Sequence, residues 1–115
     1  MTLNKEIESN IIDHSLRDKP RECCGFIIYK LGKLFTHECF NSSREPEKFF
    51  SISPIDYLKA VALGKIISVY HSHVEEGGFS EGDKLNSISH NLPFVMYCIK
   101  TNSFSFFNPK DTTHE

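Results

Sequence analysis

Residues 4–17 place Ile7, Ile11, Ile12 and Leu16 at helical spacing and Pro20 closes the segment, which predicts an amphipathic helix. The run CCGFIIYK, 23–30, is short, apolar and rich in β-branched and aromatic residues. LGK follows, and LFTHECF, 34–40, alternates, so the two runs predict a hairpin. SSREPEK, 42–48, is polar and predicts a loop. After it, Ser53-Pro54 before IDYLKAVAL has the form of an N-cap with proline at the first helical position, and Gly64 supplies the stop. Strand KIISVYHSH, 65–73, a helix beginning near Ser80, and strands FVMYCIK, 94–100, and FSFF, 104–107, complete the order. Helix, hairpin, helix, strand, helix, strand, strand predicts an α/β chain of the mixed α+β kind, a mixed sheet with helices packed on it. No repeat, low-complexity tract or linker interrupts the pattern, so residues 1–115 are expected to form a single domain.

Composition narrows the function classes. A chain of 115 residues can bury roughly two thirds of its unfolded surface in one core. With 24% charged residues and a formal net charge of -2, it has no basic field to gather nucleic acid. No apolar run approaches the ~20 residues needed to cross a bilayer, and MTLNKEIESN is too polar for a signal peptide, so a cytoplasmic location is expected. Cys23, Cys24, Cys39 and Cys98 show no CxxC spacing, and neighbours Cys23 and Cys24 point to opposite faces of a strand, which argues against a structural cysteine–zinc site. His37-Glu38-Cys39 puts two ligand types on one strand face but offers no third, and reads as plain strand.

The chemistry concentrates in YHSHVEEGGFSEGD, 70–83. His71 and His73 share one face at the end of a strand, where two ring nitrogens can bind one ion. Gly77-Gly78 breaks the strand, and Ser80-Glu81-Gly82-Asp83 has the form of a capping box that returns Asp83 toward the strand end. Two histidines and a carboxylate make a three-ligand zinc set with a fourth position open. A plain helix cap and a solvated strand end are the simpler explanations, and capping is compatible with ligation. His14, His37, His90 and His114 have no partner spacing and are taken as surface or locally satisfied histidines. Tyr57, Tyr70 and most of the ten phenylalanines are assigned to the core, and Glu75 and Glu76 to a solvated loop able to gate or select substrate.

These residues resemble the JAMM or MPN (JAB-domain) metallopeptidases, whose signature is an upstream Glu, then His-x-His, usually seven residues, Ser, two residues and Asp. Here His71-Ser72-His73 is followed by six residues, Ser80, two residues and Asp83. The loop is one residue short and carries Phe79 where many members have proline; Gly77 and Gly78 are expected to take the strain and fix the ligand geometry. PRECCGF, 20–26, resembles the family's Glu-x-Cys-Gly stretch and assigns the upstream acid to Glu22. FFSISPIDYLKA, 49–60, leading into the HSH strand, is similar to the phage tail-tip assembly proteins of the K type and their bacterial relatives. Those proteins often carry a second, NlpC-like cysteine peptidase domain, and this chain is expected to be the JAB module alone.

The resemblance implies a curved mixed sheet flanked by helices, cytidine-deaminase-like, with Zn2+ on His71, His73 and Asp83. It makes Glu22 the general base and Ser80 the oxyanion donor of a peptide or isopeptide hydrolase. The implied partner is a peptide or protein substrate: a cell-wall peptide, a phage tail protein or a ubiquitin-like tail, in the host cytoplasm or a virion. The alternative it allows is a noncatalytic MPN-type scaffold.

Overall fold

Asn4 starts the first helix because its side chain accepts the amide proton of Ile7 at 2.8 Å, satisfying one donor the first turn leaves open. The structure is a computed structural model and describes residues 3–75 and 77–112. Glu76 and His114, assigned above to a loop and to the surface, lie outside the described residues. Helix α1, Lys5–Asp18, buries Ile7 and Ile11 as its spacing predicts. Leu16 departs from expectation and stays 47% exposed, while His14 and Ser15 are buried. The sheet presents the hydroxyl of Tyr70 to this turn of the helix, and a buried hydroxyl requires a polar partner.

Strands β1, Cys24–Lys30, and β2, Lys33–Cys39, join through Leu31 and Gly32, both at positive φ (51° and 83°), the backbone a two-residue hairpin loop requires. Helix α2, Pro54–Leu63, begins where Ser53 Oγ accepts the Asp56 amide at 3.2 Å and ends at Gly64. Strand β3, Lys65–His73, helix α3, Glu81–His90, strands β4, Phe94–Cys98, and β5, Ser103–Phe107, and a 3-10 turn at Pro109–Thr112 follow. The sheet order is β2-β1-β3-β4-β5; β3 and β4 run parallel and the other pairs antiparallel, so the sheet is mixed as predicted.

The sheet has a core on each face. Ile7 and Ile11 of α1 meet Cys23, Ile27, Tyr70 and Val95 on one side. Cys24, Phe26, Ile28, Val69 and Phe94 pack with Ala60 of α2 on the other. Cys23 and Cys24 thus face opposite cores, and burial pushes the Cys23 thiol up to about 12, which leaves it inert. The expected aromatic core is incomplete: Tyr57, Phe40, Phe49 and Phe106 remain exposed. Helix α2 buries only Ala60, which leaves Tyr57 half out, and Phe40 lies under the Arg21 guanidinium, 4.9 Å from the ring centroid.

His14 closes a polar network beneath α1. Its Nε2 faces the Asp18 carboxylate at 3.3 Å and so carries the proton, which leaves Nδ1 to accept from Tyr70 Oη at 2.7 Å. Glu38, bridged to Arg17, lies 3.9 Å from the same Nε2. Burial pulls the His14 pKa below its usual 6.5, against the opposing pull of Glu38 and Asp18. With the folded value below the unfolded one, the unfolded chain takes up this proton first. The contribution is therefore fully present above pH 6.5 and lost as pH falls below it. Chemical denaturation between pH 7.5 and 5 (~2.5 units) should show a stability slope that His14→Gln reduces. An equal slope in the two proteins contradicts the assignment.

Candidate metal centre

The site forms where three chain segments meet at the C-terminal end of β3. His71 and His73 lie two residues apart and project from one face. The His71 ring is fully buried and stacks on Phe50, with ring centroids 4.6 Å apart. At the start of α3 the predicted capping box is complete: Ser80 Oγ accepts the Asp83 amide at 3.0 Å and Asp83 Oδ2 accepts the Ser80 amide at 3.1 Å. The cap fixes the Asp83 carboxylate, and its Oδ2 lies 3.2 Å from His71 Nε2 and 3.3 Å from His73 Nε2.

Glu22, just before β1, is buried, with Oε2 3.7 Å from His73 Nε2. Donor atoms of Glu22, His71 and His73 all lie within 4.8 Å of one another, a buried cluster able to hold a metal ion. The structure thus brings together all five residues singled out in the sequence, with Ser80 at the rim of the cleft described below.

The donor set fits zinc on the geometry present. Ligands about 2.0–2.1 Å from a tetrahedral zinc lie about 3.3 Å from one another, which is the spacing of Asp83 Oδ2 from the two imidazoles. Three nitrogens, Ser80 N and both Nε2 atoms, converge on one carboxylate oxygen with two lone pairs. His71 Nδ1 is buried and makes no hydrogen bond among the described residues. A cation between the imidazoles and the carboxylate resolves that oversubscription better than a hydrogen-bonded cluster does.

Electrostatics agree. Burial lowers the His71 pKa, and the opposing attraction of Asp83 does not reverse the shift, so the ring is neutral, the form that binds metal. Burial raises the Asp83 carboxyl, but hydrogen bonds from His71, His73 and the Ser80 amide outweigh it and hold the group well below the usual carboxylate range.

Sequence reasoning missed three supporting residues. Asn41, 1% exposed, donates from Nδ2 to the Glu22 carbonyl at 2.9 Å and the Phe49 carbonyl at 3.0 Å, and accepts the Ser43 and Ser51 amides through Oδ1. Ser72, between the two histidines, accepts the Cys23 amide at 2.8 Å and ties β3 to the residue after Glu22. Phe79 packs between His71 and Phe107, with centroids 5.9 Å from each ring, and anchors the short loop. That anchor adds a constraint to the one expected of the glycines. A Cβ added at Gly77 or Gly78 meets nothing within 4 Å, and Gly78 is not among the positive-φ residues, so the expected positive φ does not hold at Gly78. Of the three supporting residues, Phe79 stood out in the sequence only as a replacement for proline, and Asn41 is a lone Asn before a Ser/Pro loop, where such residues are common turn formers.

A cleft of about 600 Å³ opens beside the centre, lined by Glu22, His73, Ser80 and residues of the 47–49 and 74–75 segments.

A mixed sheet with paired histidines at a strand end, facing a capping-box aspartate and a buried glutamate, defines a JAB/MPN-type domain. Residues 4–111 match the family of prokaryotic homologs of the JAB domain, and the chain belongs to that family. It is 38% identical over 63 residues to the tail tip assembly protein K of Escherichia phage N15; the match covers 55% of this chain and 26% of that protein. The chain therefore aligns with about a quarter of that relative's length. A protein of Desulfitobacterium hafniense shares the fold with a TM-score of 0.73 at 19% identity, over 90% of this chain and 78% of that one. A JAB1/MPN domain protein of Archaeoglobus fulgidus does so with a TM-score of 0.60 at 17% identity, over 96% and 91% of the two chains. The mixed α/β fold predicted from the element order is the fold of these proteins.

Proposed function

We propose that this protein is a zinc-dependent peptidase or isopeptidase of the JAMM type. The observation that carries the reading is the convergence of His71, His73 and Asp83 at co-ligand spacing, with Glu22 beside His73 in the wall of a cleft. His71, His73 and Asp83 hold the ion in this account. A zinc ion there supplies a Lewis acid and makes water available as a nucleophile near pH ~7.

The chain's own groups do the rest. Glu22 takes the proton of the attacking water and delivers it to the leaving amine. Its burial and its fixed backbone, bonded through the Pro46 and Asn41 contacts, keep the carboxylate aimed at one point. Ser80 Oγ already accepts the Asp83 amide, which leaves its hydroxyl proton to donate to the developing oxyanion. The substrate class is a peptide or protein, and the name of the phage relative favours a tail protein over a cell-wall peptide or a ubiquitin-like tail. We place the protein in a host cytoplasm or virion on that relative alone, and take residues 1–115 as one JAB unit. A noncatalytic MPN-type scaffold is the alternative, and the presence of all five motif residues weighs against it.

The test is cleavage of a fluorescence-quenched peptide library by chelator-stripped protein before and after one equivalent of zinc (~1:1). Zinc should restore cleavage, and His73→Ala should not respond. Cleavage equal in stripped and zinc-restored protein sinks the proposal.

A further inference from the structure

His71 lacks the hydrogen bond that ordinarily aims such a ring. A metal-binding imidazole almost always donates through its second nitrogen to a carbonyl, a carboxylate or water, and that bond fixes its orientation. The His71 ring is wholly buried, and its Nδ1 has no such partner among the described residues. Its orientation has to come from packing.

Aromatic rings supply that packing. Phe50 lies nearly parallel to the imidazole, with centroids 4.6 Å apart and planes 22° from each other. Phe94 meets the ring edge-on at 5.9 Å, and Phe79 lies tilted to it at 5.9 Å. Of the three, Phe50 alone presents a flat face, so it is the ring that resists a swing of His71 about its Cβ–Cγ bond.

Phe50 is itself clamped through its neighbours in the chain. Asn41 Nδ2 donates to the Phe49 carbonyl at 3.0 Å and Asn41 Oδ1 accepts the Ser51 amide at 3.2 Å, so one buried side chain brackets residue 50. The Ser42 amide adds a bond to the Ser51 carbonyl at 2.9 Å. A clamp is needed here, because a cavity of about 270 Å³ borders Phe50 and Phe94 and leaves the rings room to move.

We infer that Phe50 is a positioning residue for the metal centre: its stacked ring takes the place of the missing hydrogen bond and keeps His71 Nε2 aimed at the point shared with His73 and Asp83. This role rests on the proposed zinc reading, whereas the order of the ring is a property of the metal-free chain as well.

The experiment compares wild type, Phe50→Leu, Phe50→Tyr and Ile52→Ala by two readouts: zinc affinity in competition with a chromophoric chelator, and the ring proton–nitrogen spectrum of His71 in metal-free protein. Leucine keeps apolar bulk without a flat face, so zinc affinity should fall by about tenfold and the His71 ring signals should broaden or double. Tyrosine keeps the face and should restore both. Ile52 packs against the same core and lines the same cavity but is no part of the aromatic cage, so Ile52→Ala should lower Tm and leave zinc affinity near wild type. Unchanged affinity and spectrum in Phe50→Leu, a loss that persists in Phe50→Tyr, or an equal loss in Ile52→Ala overturns the inference. Should wild type bind no zinc, the zinc reading fails, and the ring spectrum alone then decides whether Phe50 orders His71.

Discussion

Glu22→Gln should lower peptide cleavage by about 10³-fold and leave the zinc content unchanged. Glutamine keeps the size and hydrogen-bonding reach of glutamate but cannot take a proton from water, so it removes the base and little else. The geometry makes the experiment decisive, because Glu22 lies close enough to both histidines to be a ligand itself. Its Oε2 stands 3.7 Å from His73 Nε2, beyond the ~3.3 Å edge of a tetrahedral zinc site, whereas Asp83 sits 3.2 and 3.3 Å from the two imidazoles. On the proposed reading Asp83 takes the ligand role and Glu22 the base. Zinc loss in Glu22→Gln combined with retention in Asp83→Ala reverses the two roles, and full activity in Glu22→Gln removes it from the mechanism.

The Gly25→Ala variant should lose about 3 kcal/mol of stability, a fall of roughly 10 °C in Tm. A Cβ at residue 25 lies 2.5 Å from the His37 carbonyl oxygen and 2.5 Å from the Tyr70 ring. The carbonyl belongs to the neighbouring strand, and Tyr70 is held by its hydrogen bond to His14, so neither obstacle moves cheaply. The glycine after Glu22-Cys23-Cys24 thus serves to let a buried tyrosine cross the strand. Its substitution also displaces the strand that follows Glu22, so zinc-dependent cleavage should fall with stability. A Tm within 2 °C of wild type, measured by calorimetry (~4 °C per kcal/mol), contradicts this packing account.

Local chemistry was the legible part of this molecule. The caps at Ser53 and Ser80, the Leu31-Gly32 turn and the shared face of His71 and His73 depend on neighbours a few residues apart, and each appears where the pattern put it. Asp83 at the strand end followed from the capping box alone. What stayed hidden depends on partners distant in sequence. Leu16 has the spacing of a core residue, but Tyr70, 56 positions from His14, draws the histidine into the core in its place. Asn41 bridges to Glu22 across 19 positions, and Phe79 anchors the short loop on rings supplied by β3 and β5. Phe49 looks like a core phenylalanine in FFSIS, yet only its neighbour Phe50 turns inward to stack on His71.

The most direct test of the account is the zinc content of wild type, His73→Ala and Asp83→Ala, measured by native mass spectrometry after dialysis against a weak chelator. The account predicts one zinc per chain (~1:1) in the wild type and none retained in either variant, with all three folded by circular dichroism. Equal zinc retention in wild type and both variants would contradict it.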